Sequence, residues 1–225
     1  MYIFLFTAIP CLMLYFLNSS FARKNAGSSS RSSYWLAFCT GFFPAVISCF
    51  IDEFFIFSTH RFTESLPSCY GYLLAKGGLL PTLVLGGIYL LFSRREMENR
   101  LFALLPLFAA FYLSYLPYTV ITGAERYSPF LCLAKPLLTC AHIELLALCS
   151  MGLYRSIKGR SRISSAAFAL GILSALSLPV LAESLWYLQY RPALSGGILA
   201  FLLAESVVMA IFLAKMRGKT LDKSI

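Results

Sequence analysis

Long apolar runs, separated by short polar connections, dominate the sequence. About 20 consecutive apolar residues are enough to cross a hydrocarbon core of roughly 30 Å as a helix. Seven stretches meet this requirement and are predicted to span a membrane: 1–18, 34–58, 69–93, 101–123, 130–153, 163–188 and 195–214. Because every connection between them is short, the pattern predicts an all-α, polytopic membrane helix bundle that forms a single transmembrane domain over residues 1–225.

The composition agrees with this pattern. Of the 225 residues, 59% are hydrophobic and only 13% are charged, and the mean hydropathy is +0.74. A typical soluble domain carries about 25% charged residues. The chain is therefore predicted to be a multi-pass integral membrane protein.

Lysine and arginine are distributed unequally among the connections. Fourteen of the 19 basic residues lie in alternate connections and the C-terminal tail, whereas three lie in the remaining connections. Cytoplasmic loops keep an excess of basic residues, so we expect an outside N-terminus and an inside C-terminus in a bacterial-type cytoplasmic membrane. The net charge of +9 then reflects this asymmetry and attraction to anionic lipids at the cytoplasmic face, and it requires no nucleic acid.

Two alternatives concern the first span and the cysteines. The residues "SFA" before Arg23 have the shape of a signal-peptide cleavage site, so residues 1–22 are either a retained helix or a cleaved leader. The seven cysteines show no spacing typical of a metal or redox site. Cys69 and Cys132 both lie near predicted outer helix ends, where a disulfide is the alternative to two buried thiols.

Ionisable residues inside the spans are the first functional candidates, because they are costly in hydrocarbon. With a rise of about 1.5 Å per residue, five of them fall in the outer third of the membrane: Asp52, Glu53, Lys76, Lys135 and Glu183. Three more lie near mid-span: His142, Glu144 and Glu205.

Helical geometry separates some of these groups. Adjacent helical residues point about 100° apart, so Asp52 and Glu53 are predicted to face different surroundings. Lys135 and His142 share one stripe of their helix, and Glu144 points nearly the opposite way from His142.

Tyrosines form a further polar stripe on the fourth predicted span. Tyr115 and Tyr118 lie on it near the outer end. They either line a pocket that opens to the outside or belong to the aromatic belt at the membrane interface.

Three interpretations of the charged set stay open. Lys76 or Lys135 can pair with an acid on another helix, such as Glu183. A catalytic or metal site requires ligands that converge on His142. A proton or cation pathway would run through the two mid-span acids, Glu144 and Glu205.

Four segments resemble the PrsW family of intramembrane proteases across most of the chain. In chain order they are "AIPCLMLYF", "AFCTGFFPAVI", "CAHIELLALCSMGLYRSIKGR" and "LSLPVLAESLWYL". The resemblance implies that His142 corresponds to the first of two active-site histidines, and it would place Glu144, Glu183, Asp52 and Glu53 among the residues to test.

The family's other motifs differ here. The third span, "LLAKGGLLPTLVLGG", has no carboxylate, and the fourth, "LFAAFYLSYLPYTV", has no Glu-Asn pair. Glu183 stands where the family has its second histidine after Pro179, and "IDEFF" lies one helix too early. The resemblance thus implies an inactive, atypical or repurposed relative.

The sequence therefore predicts a membrane protein with an outward-facing polar pocket and three possible functions. The first is a degenerate or atypical PrsW-like protease with His142, Glu144 and Glu183 as candidate catalytic residues. The second is a transporter or channel subunit for a small solute, proton or cation. The third is a non-catalytic component of a membrane complex, with another membrane protein or a second copy as partner. Neither a metal nor a cofactor is assigned by the sequence.

Overall fold

The structure is a computed structural model that describes the backbone of residues 28–51, 65–79, 81–121, 129–188 and 192–221. The first predicted span, 1–18, lies outside the described residues. So do Asp52 and Glu53, the two adjacent acids of the second predicted span.

All regular structure in these described ranges is helical, which confirms the all-α class. The helices are α1 Ser28–Ile51, α2 Leu66–Leu73, α3 Gly87–Phe92, α4 Met97–Ile121, α5 Pro129–Lys158, α6 Arg162–Tyr187 and α7 Pro192–Leu221. Two wider π-helical stretches, Leu74–Leu79 and Thr82–Gly86, join α2 to α3.

Within the described ranges, five helical segments are long and apolar enough to cross a membrane: Leu66–Phe92, Met97–Tyr118, Leu133–Lys158, Arg162–Tyr187 and Ala193–Lys215. They correspond to the third through seventh spans predicted from the sequence. The apolar part of α1 that the structure describes, Trp35–Ile51, is shorter. These five helices indicate a membrane-embedded, multi-pass protein.

Helix α5 is the centre of the described bundle, because it packs against α4, α6 and α7. From Cys140 to Cys149, every residue of α5 except Glu144 is buried. Helix α1 packs along α4, and α2 with the first π-helical stretch packs on α6. A polar side chain on α5 that points toward α4, α6 or α7 therefore contacts a neighbouring helix.

A tight connection makes α5 and α6 antiparallel. Arg160 adopts the left-handed conformation with φ of 54°, and the amide of Ser161 donates to the Ser156 carbonyl at 3.0 Å. The N-terminal part of α5 consequently lies beside the C-terminal part of α6, which brings Lys135 level with Glu183.

Candidate functional site

An ion pair joins α5 and α6 near the end of the bundle remote from their connection. The Lys135 Nζ lies 2.9 Å from a carboxylate oxygen of Glu183, and each side chain is 17% exposed. This pairing is one of those predicted from the sequence, and it is confirmed. The Glu183 carboxylate is thus charge-paired with a lysine on the neighbouring helix, although its Oε1 makes no hydrogen bond of good geometry with a described residue.

His142 is held by a backbone carbonyl that a proline leaves without a partner. Its Nδ1 lies 2.6 Å from the Ala175 carbonyl oxygen on α6. In a regular helix that carbonyl would accept from the residue four positions later, which is Pro179 and has no N–H. Since a carbonyl only accepts, Nδ1 carries the proton and donates it. The imidazole therefore replaces the hydrogen bond that Pro179 removes.

The second ring nitrogen of His142 is buried and has no hydrogen-bond partner among the described residues. The side chain as a whole is 5% exposed. With Nδ1 protonated, Nε2 carries the lone pair of the neutral ring. His142 thus presents one committed donor and one unused acceptor.

Tyr112 of α4 donates to a second carbonyl close to a proline. Its hydroxyl donates to the Gly77 carbonyl at 2.8 Å, and Gly77 lies in the π-helical stretch Leu74–Leu79, four positions before Pro81. The Tyr112 ring also contacts the His142 ring edge-to-face, with centroids 6.2 Å apart. We refer to these two hydrogen bonds, Tyr112 to Gly77 and His142 to Ala175, as the proline-carbonyl contacts.

Glu205 lies in a different interface, between α6 and α7. The Ser174 hydroxyl lies 2.8 and 2.9 Å from its two carboxylate oxygens. Gly171, one turn away on α6, permits a close approach to α5, because a Cβ built there would lie 2.5 Å from Cys149 Sγ. Glu205 is therefore part of the packing of α6 and α7.

Glu144 faces away from His142, as its position on the helix predicts. It borders a cavity of about 30 Å³ between α4 and α5. The other lining residues are apolar: Leu101, Phe102, Leu105, Ala147, Leu148 and Met151. Glu144 and Glu205 lie on different sides of α5, so the described residues do not connect them into one polar path.

The remaining pocket candidates are placed as follows. Lys76 lies over the Tyr72 ring, with Nζ 5.8 Å from the centroid. Tyr115 stacks on Phe111 at 5.4 Å, and its ring lies 6.3 Å from that of Tyr118. The tyrosine stripe is thus a packed aromatic row on α4, and both interpretations of it stay predictions.

The described ranges contain no group of three His, Cys, Asp or Glu side chains able to hold a metal ion. His142 contacts α6 two turns away from Glu183, and Glu144 faces α4. Among the described residues, the three candidate catalytic side chains therefore do not converge on one point. His142 and Glu183 both lie between α5 and α6, about two turns apart, and Glu144 lies between α4 and α5. Cys69 is an unoxidised thiol, and the Cys132 side chain lies outside the described part.

The sequence did not lead us to predict the hydrogen bonds that Tyr112 and His142 donate to backbone carbonyls. The signal was present, because a proline within a span frees the carbonyl four residues earlier and a donor at matching depth can fill it. An ion pair between Arg155 of α5 and Glu98 of α4, with Nε 2.8 Å from the carboxylate, was also missed.

Comparison with protein-family models, with curated proteins and with solved structures finds no match to the chain. The residues and their geometry define a class only, a helical membrane protein with polar contacts between its central helices. Any narrower function has to be argued from these contacts.

Proposed function

We propose that this chain is a non-proteolytic, non-catalytic component of a membrane complex, a repurposed protein of PrsW-like layout. One observation carries the proposal: the proton on His142 Nδ1 is committed to the Ala175 carbonyl that Pro179 leaves unpaired. This contact gives His142 a structural reason to lie between α5 and α6, so its position there requires no catalytic role.

The occupied carboxylates support the same proposal. Glu183 is neutralised by Lys135, and Glu205 accepts from Ser174. An acid paired with a lysine at 2.9 Å is poorly suited to act as a base or to bind a metal. These polar groups fix the helices relative to one another, and the apolar outer faces remain available to lipid and to a membrane partner or second copy.

A His142→Ala, Pro179→Ala double variant tests the proposal. Alanine at 179 restores the backbone N–H for the Ala175 carbonyl, so we expect this variant to fold although His142→Ala alone is destabilised. The N-termini of membrane proteins are then profiled in cells that express wild type or the double variant. Identical profiles are expected, whereas specific cleavage lost with the stable double variant would show that His142 is catalytic.

Proton or cation transport is a second candidate function, and the cavity beside Glu144 favours it. Because Glu205 lies on the other side of α5, the structure supports a pathway that uses Glu144 without Glu205. In proteoliposomes, a pH-dependent flux should disappear with Glu144→Gln and persist with Glu205→Gln. A flux that depends on Glu205 would contradict this arrangement.

We further propose an outside N-terminus and an inside C-terminus in a bacterial cytoplasmic membrane. The basic residues at the connection between α5 and α6, including Lys158 and Arg160, support it under the positive-inside rule. With the seven native cysteines replaced by alanine or serine, a single cysteine at exposed Gly159 should react with permeant but not with impermeant thiol reagents in intact cells. Reaction with both reagents would reverse the orientation.

A further inference from the structure

Glu144 is the one mid-span acid among the described residues whose surroundings provide no compensating group. Glu205 has a hydroxyl donor and Glu183 has a lysine. By contrast, the partly buried Glu144 has no hydrogen bond or ion pair with any described residue. The lining contributed by α4 (Leu101, Phe102 and Leu105) and by α5 (Ala147, Leu148 and Met151) contains no titratable side chain.

Glu144 is only partly buried within the protein, but it lies mid-span, where an unpaired charge costs roughly 2.5–3.5 kcal/mol or more. A protonated carboxyl avoids most of this cost, and it needs only one acceptor for its O–H and one donor for its C=O. Water can provide both. A cavity requires at least roughly 10–15 Å³ to hold a water molecule, so the space of about 30 Å³ beside Glu144 has room for one against the carboxyl.

The lining also distinguishes a proton from a metal cation. Calcium takes six to eight oxygen ligands, and magnesium requires an octahedral shell. The described lining offers the two oxygens of a single carboxylate and otherwise hydrocarbon. A proton, which needs one oxygen, is the cation that fits these residues.

We propose that Glu144 is a proton-binding site, a carboxyl that stays protonated at neutral pH beside the cavity between α4 and α5. This site does not depend on the non-proteolytic role proposed above, and it holds whether or not the protein transports protons. A protonated carboxyl in an apolar setting is also a modification site for hydrophobic carbodiimides.

The modification is a balanced addition that needs no other reactant. The carboxyl proton moves to one nitrogen of dicyclohexylcarbodiimide, and the carboxyl oxygen bonds to the central carbon, which gives an O-acylisourea. An acyl shift from oxygen to nitrogen then yields a stable N-acylurea. The peptide gains the whole mass of the reagent, and nothing leaves.

The purified full-length protein, in lipid nanodiscs at neutral pH, is treated with dicyclohexylcarbodiimide and mapped by peptide mass spectrometry. We expect the adduct on Glu144 and none on Glu183 or Glu205, which serve as internal controls. Glu144→Gln should abolish the adduct. An unmodified Glu144, or equal labelling of Glu205, would overturn the proposal. Both outcomes are measured on the wild-type protein, so they do not depend on whether a variant folds.

Infrared spectroscopy provides an independent measurement. The C=O stretch of a protonated carboxyl should be present at neutral pH in wild type and lost in Glu144→Gln, and it should remain in Glu205→Gln. Its absence from wild type would refute a protonated Glu144. If the adduct and the infrared band are both present but proteoliposomes show no proton flux, proton transport is refuted and the proton-binding site at Glu144 is retained.

Discussion

Replacing Tyr112 by phenylalanine isolates one of the proline-carbonyl contacts, because the change removes only the hydroxyl. The ring is 6% exposed, and its hydroxyl donates to the Gly77 carbonyl at 2.8 Å. Leaving a buried carbonyl without a partner costs about 1–3 kcal/mol, and interhelical hydrogen bonds in membranes average about 0.6 and reach about 1.7 kcal/mol. We therefore expect Tyr112→Phe to lower the free energy of unfolding by about 1–1.5 kcal/mol.

Pro81→Ala provides the decisive background, because it restores a backbone N–H four positions after Gly77, from which the Gly77 carbonyl accepts once this segment pairs as a regular α-helix. Helical dihedrals at position 81, with φ of −60° and ψ of −42°, accommodate alanine. In this background the cost of Tyr112→Phe should fall to below about 0.5 kcal/mol, which corresponds to a coupling of roughly 1 kcal/mol in a double-mutant cycle.

The measurement is equilibrium unfolding in mixed detergent micelles, followed by tryptophan fluorescence and circular dichroism. Tyr89→Phe is the matched control, since Tyr89 is a partly buried tyrosine of α3 with no described hydroxyl contact. It should change stability little. If Tyr112→Phe costs the same with Pro81 as with Ala at that position, the proline does not create the need for the hydroxyl, and the reasoning is wrong.

Three further predictions use the same unfolding assay. Gly41→Ala should destabilise the protein by about 1–3 kcal/mol, since the added Cβ would lie 2.3 Å from a backbone oxygen of α4. The control, Gly87→Ala, has open space around it and should be neutral or stabilising. Equal effects of the two substitutions would contradict the close approach of α1 and α4. Lys135→Met should cost about 2–3 kcal/mol, and adding Glu183→Gln should recover part of that loss; simple additivity would argue against the ion pair. Ser174→Ala should cost about 1–3 kcal/mol by removing a donor from a partly buried acid, and unchanged stability would refute that contact.

The sequence predicted the architecture more completely than it predicted the polar contacts. Apolar length alone located five spans, because the cost of crossing hydrocarbon depends on an additive property of a segment. The π-helical turns around Pro81 were not predicted, since they depend on local backbone adjustment to the missing N–H.

Side-chain direction was predictable within a helix but not between helices. Periodicity correctly placed His142 and Glu144 on opposite faces of α5. It could not tell which neighbour each would meet, because that depends on the rotation and packing of α4 and α6. The pairing of Lys135 with Glu183 was therefore one of several alternatives until the antiparallel packing of α5 and α6 selected it.

Prolines change how polar residues inside membrane helices should be interpreted. Such residues are functional candidates by default because hydrocarbon penalises them, but an intramembrane proline creates a second penalty, a carbonyl without a donor. When a tyrosine or histidine donates to this carbonyl, the side chain and the carbonyl each gain a hydrogen-bond partner, and both penalties are reduced. The presence of that side chain then requires no catalytic explanation. Tyr112 and His142 Nδ1 are accounted for in this way. The groups left without such an account are the Nε2 of His142 and the carboxyl of Glu144, and experiments on function should begin with them.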